Sequence, residues 1–217
     1  VSGSRIVDLS LSIESEMPHF AGTPPVYIAQ SHRLDDEGYR MCTVLLGNHA
    51  GTHLDAPSHF LADGATVENV DLDRCVGEAH VLDLTHKVPL APITVADVLA
   101  AGAGTDPGQR LLLRTDWDLR FGEPAYFTDF PPLAPETARW FADHDVKLVG
   151  LDIPSLHQTA FVELHEVMLG AGIAIIESLA NLRSLTQEQV FLSAAPLKLA
   201  GADGAPVRAV AIESRES

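Results

Sequence analysis

Short runs rich in Val, Ile and Leu, each bounded by Gly, Pro or Asp, recur along the 217-residue chain. They occupy residues 5–13, 27–34, 41–47, 80–85, 110–114, 147–153, 173–179, 191–199 and 206–212. Their length and β-branched content suit strands, and the residues between them suit turns. Helical spacing is confined to three stretches. Residues 94–101 open with Thr94 as N-cap and Asp97 three positions on, a capping box. Residues 135–143 carry Pro135 in the first turn, where a missing N–H costs nothing. Residues 160–169 run into Gly170-Ala171-Gly172, a C-cap pattern. The pattern predicts an α/β single domain over residues 1–217, with a mixed sheet and a few helices. Its element order departs from the regular alternation of a doubly wound fold. Residues 102–108 are flexible by composition, and 126–135 read as a long ordered loop, a place for a substrate lid.

Charge narrows the partners. Lys and Arg total 14 against 30 Asp and Glu, a net charge of −16. Such a chain lacks the basic footprint that nucleic acid requires, and an anionic membrane surface would repel it. No apolar run approaches the roughly 20 residues of a membrane span. The opening Val1-Ser2-Gly3-Ser4-Arg5 lacks the basic-then-apolar layout of a secretion signal. Two cysteines, Cys42 and Cys75, are too few for a disulfide framework and read as buried thiols. The expectation is a soluble cytoplasmic protein.

The ten histidines are unevenly placed. His49, His53, Asp55 and His59 fall within eleven positions of the run Asn48-His49-Ala50-Gly51-Thr52-His53-Leu54-Asp55-Ala56-Pro57-Ser58-His59-Phe60. Gly51 and Pro57 disfavour a helix, so the i, i+4 spacing of His49 and His53 is not a helical pair. In an extended chain His53 and Asp55 face the same side. A turn at Ala50-Gly51 folds His49 back toward them. Two imidazoles and a carboxylate suit Zn²⁺ or Mn²⁺ and leave coordination positions open. His59, beyond Pro57, is then near the ion and free to carry protons.

A second region holds His165, late in the third helix, and Glu177, inside the apolar run 173–179. Taken alone, His165 reads better as a satisfied helix-face histidine near a C-terminus than as a ligand. Glu177 is either metal-bound, ion-paired or on an exposed strand face, because burying a lone carboxylate is expensive.

The run His49-Ala50-Gly51-Thr52-His53-Leu54-Asp55-Ala56-Pro57-Ser58-His59 matches the HxGTHxDxPxH motif at every fixed position. In this the chain resembles the metal-dependent cyclase/hydrolase family that includes bacterial kynurenine formamidases (arylformamidases) and isatin hydrolases. The likeness runs from Ile6-Val7-Asp8-Leu9-Ser10 to Gly204-Ala205-Pro206-Val207-Arg208-Ala209. It implies metal ligation by His49, His53, Asp55, His165 and Glu177, with Asp55 able to bridge two ions, and His59 as general acid/base. It also implies a swivelling β/α fold with a mixed, barrel-like sheet, assembled as a homodimer or tetramer. Three positions depart from the family pattern. Phe20, in Pro18-His19-Phe20-Ala21-Gly22-Thr23, replaces a Trp that holds aromatic substrate; Glu166 replaces a second His; His157 stands where relatives often carry Asp.

The resemblance implies metal-assisted hydrolysis of a C–N or C–O acyl bond, with His59 moving the proton and one or two divalent ions as cofactor. Phe20 and His19 are candidates for the aromatic wall of a substrate pocket, although Phe20 can equally be an ordinary core or lid residue. The alternatives are a biosynthetic cyclase, lyase or dehydratase using the same site as Lewis acid, or a metal-storing or ligand-binding protein without turnover. Asp116 and Asp118 read as a loop turn, and Asp35-Asp36-Glu37 as a solvated turn.

Overall fold

The computed structural model of the chain describes residues 3–104 and 108–214; residues 105–107 of the glycine-rich 102–108 stretch lie outside the described residues. The first strands are β1 (Ser4–Asp8) and β2 (Tyr27–His32). The one-turn helix α1 (Leu34–Glu37) forms where a solvated turn was expected, and β3 (Met41–Leu45) pairs back onto β2 as a separate exposed hairpin. Next come β4 (His53–Asp55), α2 (Leu72–Cys75) and β5 (Val76–Asp83). The chain then runs α3 (Val95–Ala100), β6 (Arg110–Arg114), α4 (Pro135–Asp143) and β7 (Leu148–Leu151). It ends with α5 (Phe161–Gly170), β8 (Ala174–Glu177), β9 (Gln189–Ser193), β10 (Gly204–Pro206) and β11 (Val210–Ser214).

Nine strands join one mixed sheet in the order β1-β11-β9-β5-β6-β7-β8-β4-β10. β5 to β8 are parallel and are linked through α3, α4 and α5, so the middle of the chain does alternate strand and helix. The irregular order expected from sequence is confined to the antiparallel flanks. Strands covered on both faces need no alternation. Leu111, Leu112 and Leu113 of β6 are accordingly all fully buried. Leu111 and Leu113 pack with Val98, Phe141, Leu164 and Met168 of the three helices. Leu112 packs on the other face with Leu148, Ile176, Val190 and Leu192.

The sheet is curled into a half-barrel, as the barrel-like expectation required. A short link shows why. The run 206–212, expected to be one strand, divides into the end of β10 and the start of β11, seven positions apart in the sheet order. Four Cα steps from Pro206 to Val210 span at most roughly 14 Å. Seven inter-strand spacings in a flat sheet would need about 34 Å. The two edges must therefore curve toward each other. Bridges Ser10↔Leu179 and Pro196↔Val207 tie strand ends across the gap.

The Thr94 capping box is formed: Thr94 Oγ1 accepts from Asp97 N–H, and Asp97 Oδ2 accepts from Thr94 N–H at 2.7 Å. The 126–135 stretch is not a lid. Tyr126, Phe130 and Leu133 are fully buried, and Leu133 bridges to Ile93, so the stretch is a fixed wall of the core. Cys75 is buried as expected, and burial pushes its thiol up to about 11; Cys42 is exposed, because β3 lies in the projecting hairpin. Among the described residues no helix is long and apolar enough to cross a membrane.

Candidate metal centre

The motif is held in shape from both sides of Gly51. Gly51 has φ +65°, a left-handed conformation that L side chains rarely adopt. The turn it makes brings His49 back over β4, as the Ala50-Gly51 pair suggested. Thr52 Oγ1 donates to the Ser178 carbonyl at 2.5 Å and accepts from Leu11 N–H at 2.9 Å, locking β4 to the end of β8 and to the N-terminal segment. On β4, Leu54 points into the core, so His53 and Asp55 share the opposite face. β8 runs antiparallel to β4 with Glu177 directly across from His53. His165 reaches the same point from α5. Ala56 is extended, and Pro57 starts a short 3₁₀ turn over Pro57–His59 that lifts His59 above the cluster.

These placements bring six side chains from three parts of the chain together. Asp55 Oδ1 lies 2.8 Å from His49 Nδ1 and 3.4 Å from His53 Nε2. Asp55 Oδ2 lies 3.4 Å from His165 Nε2. Glu177 stands 3.2 Å from His165 Nε2 and 3.6 Å from His53 Nε2. His59 stacks on His49 with ring centroids 4.0 Å apart.

Each inward nitrogen is paired with an outward one that is already engaged. His53 Nδ1–H donates to the Gly51 carbonyl at 2.9 Å, and His165 Nδ1–H to the Phe161 carbonyl at 2.7 Å. His49 turns Nε2 toward Asp203 Oδ2 at 3.2 Å. Fixing one ring nitrogen this way leaves the other with its lone pair facing the cluster, the arrangement found around metal-ligating imidazoles. Asp55 Oδ2 is buried without a hydrogen-bond partner. An orphaned carboxylate oxygen among three inward imidazole nitrogens and Glu177 suits a divalent cation. Residues His49, His53, Asp55, His165 and Glu177 thus fit the group that the sequence implies.

The electrostatics agree. Burial alone would lower His53 and His165. Hydrogen bonds and charge from Asp55 and Glu177 overcome it and lift them to about 9 and about 10. His49 is raised as well, chiefly by Asp55 against the same burial. Burial opposes ionisation of Asp55, yet the surrounding imidazoles of His165, His49 and His53 hold it well below the usual carboxylate range. Without a cation, protons on the imidazoles balance the two buried carboxylates. A bound ion displaces those protons.

Above the cluster opens a cavity of about 520 Å³. His49, His53, His59, His165 and Glu177 line its floor, and Phe20, Phe60, Phe121, Phe127 and Phe161 its walls. Phe20 and His19 both face this cavity, with the Phe20 ring 4.7 Å from Phe127. His157 also lines it, and its Nδ1 accepts from the N–H groups of Thr159 and Ala160 at the start of α5. Glu166 is exposed on the far side of α5 and takes no part.

Sequence reasoning missed Asp203, Asn48 and Gly204. Asp203 Oδ2 lies 2.7 Å from His59 Nδ1, and Asn48 donates to Oδ1 at 2.6 Å. Burial would raise Asp203, but hydrogen bonds from His59 and Asn48 and the charge of His49 hold it at about 2. A Cβ on Gly204 would sit 2.6 Å from His49 Cε1, so the ring packs flat against the bare backbone. In the sequence Gly201-Ala202-Asp203-Gly204 reads as an ordinary turn. No local pattern marks it.

Comparison with known proteins gives the same picture. The model of the family described as "Putative cyclase" matches residues 7–158. A structure described as a potential metal-dependent hydrolase with cyclase activity is 29% identical, covers 99% of this chain and 100% of its own, and superposes with a TM-score of 0.82. Isatin hydrolase A from Ralstonia solanacearum is 26% identical over 96% of this chain and 92% of its own, with a TM-score of 0.87. A structure described as a predicted metal-dependent hydrolase from Bacillus stearothermophilus is 29% identical over 96% of this chain and 98% of its own, with a TM-score of 0.81.

Proposed function

The chain belongs to the cyclase family, and from that premise we propose that it is a metal-dependent hydrolase. It opens an amide, formamide, lactam or ester bond of a small aromatic substrate. One observation carries the reading: four ligand-type side chains line the floor of a phenylalanine-walled cavity around the buried Asp55, with a histidine beside them engaged at Nδ1 alone.

His49, His53, Asp55, His165 and Glu177 would hold the cofactor, Zn²⁺ or Mn²⁺ as one or two ions. Two of the three groups of potential ligand atoms among the described residues, His53-Asp55-Glu177 and His49-Asp55-His59, share Asp55, so it would be a ligand common to both. When bound, a divalent ion supplies Lewis acidity and makes water a better acid. His59 Nε2 takes the proton of the attacking water and returns it to the departing nitrogen or oxygen, so it ends the cycle unchanged. Phe20 and Phe127 hold the aromatic part of the substrate by edge and face contacts, and His19 closes the rim beside them. His157, with Nδ1 accepting from the α5 backbone, presents Nε2–H as a donor in the wall. A cytoplasmic homodimer or homotetramer completes the proposal.

The test pairs metal analysis with a panel of N-formylkynurenine, isatin and phenyl acetate. His53→Ala should lose bound metal and turnover together. Full turnover without metal would sink the mechanism. Metal-replete protein that turns over none of the three points instead to a cyclase or lyase; one structural neighbour is described as having cyclase activity. Tight binding of a panel compound without turnover points to a binding protein.

A further inference from the structure

If His59 moves the proton, something must decide which of its nitrogens does so. Asp203 immediately precedes β10, and its carbonyl accepts from Ala56 N–H at 2.9 Å, which pins it beside the end of β4. Its carboxylate Oδ2 reaches His59 Nδ1 at 2.7 Å and His49 Nε2 at 3.2 Å. Oδ1 is held by the Asn48 amide at 2.6 Å, and the Gly204 carbonyl accepts from the same amide at 3.2 Å. An ionised carboxylate can only accept hydrogen bonds. A neutral His59 therefore carries its proton on Nδ1 and its lone pair on Nε2. Rotation of the ring is opposed on both sides, by His49 stacked at 4.0 Å and by Phe60 edge-on at 4.5 Å.

Resting on the hydrolase reading above, we propose that Asp203 is a positioning residue serving both halves of the site. It fixes His59 in the Nδ1–H tautomer, with Nε2 bare to accept the proton of water. Through Nε2 it also orients His49, so that Nδ1 faces Asp55. Asn48 holds the Asp203 carboxylate in the plane that lets one oxygen serve two imidazoles. The carboxylate takes no proton itself; it sets where the His59 proton resides, as an oriented carboxylate does for a general base elsewhere. Its link to His49 is the carboxylate–histidine–metal relation that tunes a ligand from outside.

The experiment has a readout independent of turnover. In Zn²⁺-loaded protein with ¹⁵N-labelled histidine, NMR should show His59 as the Nδ1–H tautomer. Asp203→Ala should lose that preference. An Nε2–H tautomer in the unmodified protein overturns the inference whatever the activity. On whichever panel substrate is hydrolysed, Asp203→Ala should lower kcat about 10- to 100-fold with KM within about twofold. Asp203→Asn, matched in size, guards against misfolding: it should keep the melting temperature and still lose kcat. Asp203→Glu should recover part of the rate. His59→Ala separates the two claims. If His59→Ala keeps full turnover, the reading of His59 as acid/base fails. If His59→Ala is inactive while Asp203→Ala keeps both kcat and the tautomer, the inference about Asp203 fails alone.

Discussion

Gly204→Ala tests whether the site depends on the close approach of β10 to His49. The added Cβ would lie 2.6 Å from His49 Cε1 and 2.7 Å from the Leu54 carbonyl oxygen. Ordinary contact begins near 3.4 Å, so the imidazole must yield by roughly 0.8 Å and the β4 backbone by roughly 0.7 Å. The backbone cannot give easily, because Gly204 pairs with Asp55 itself. The His49 ring is the softer partner, and moving it strains its 2.8 Å contact with Asp55 and its stacking on His59. Overpacking of this kind costs about 1–3 kcal/mol, a fall in melting temperature of roughly 2–12 °C for a chain of this size. A displacement approaching 1 Å at a reacting centre lowers the rate by up to about 100-fold. Gly150→Ala is the control. Its Cβ would meet Leu179 Cδ1 at 2.7 Å and Leu112 Cδ2 at 2.9 Å, within the core. Both variants should melt earlier by differential scanning calorimetry. Gly204→Ala alone should weaken Zn²⁺ in a competitive chelator titration and lower kcat. Equal metal affinity and equal kcat in the two variants would refute the spacing argument.

Metal-free protein should have a defined pH window. His53 and His165 are raised in the folded state to about 9 and about 10, so they stabilise it fully below their unfolded pKa near 6.5. That stabilisation is lost as the pH rises through 9 and 10. The melting temperature of chelator-treated protein should therefore fall between pH 6.5 and 10, and fall less with Zn²⁺ present; a flat chelated profile contradicts the charge balance described for the site. Asp152 is fully buried and accepts from Thr115 N–H, Thr115 Oγ1 and Asp116 N–H. Asp152→Ala strands these donors and should cost about 2–4 kcal/mol in urea unfolding, and a cost near zero would show that they find other partners. Phe20→Ala should raise KM for an aromatic substrate by roughly 2- to 10-fold and leave metal content unchanged. An unaltered KM would remove Phe20 from the pocket wall.

Short-range chemistry determined a large part of this protein. The leucine run of β6, the Thr94 capping box and the bounds of α4 follow from local propensity and burial, and all stand in the structure. The spacing of His49, His53, Asp55 and His59 already implied a shared face and a turn at Gly51, because strand alternation and a left-handed glycine are local properties. The structure adds what depends on chain closure. The split of residues 206–212 follows from the curl of the sheet, which no local window registers. His53 meets Glu177 through the β4–β8 pairing, and α5 carries His165 over the same point. Asp203 reaches His59 across 144 positions and resembles any polar turn residue until β10 is laid beside β4. Ligand types are written in the sequence because the chemistry of a metal demands them. The groups that orient those ligands are interchangeable donors and acceptors, and only the folded chain decides which of them arrive.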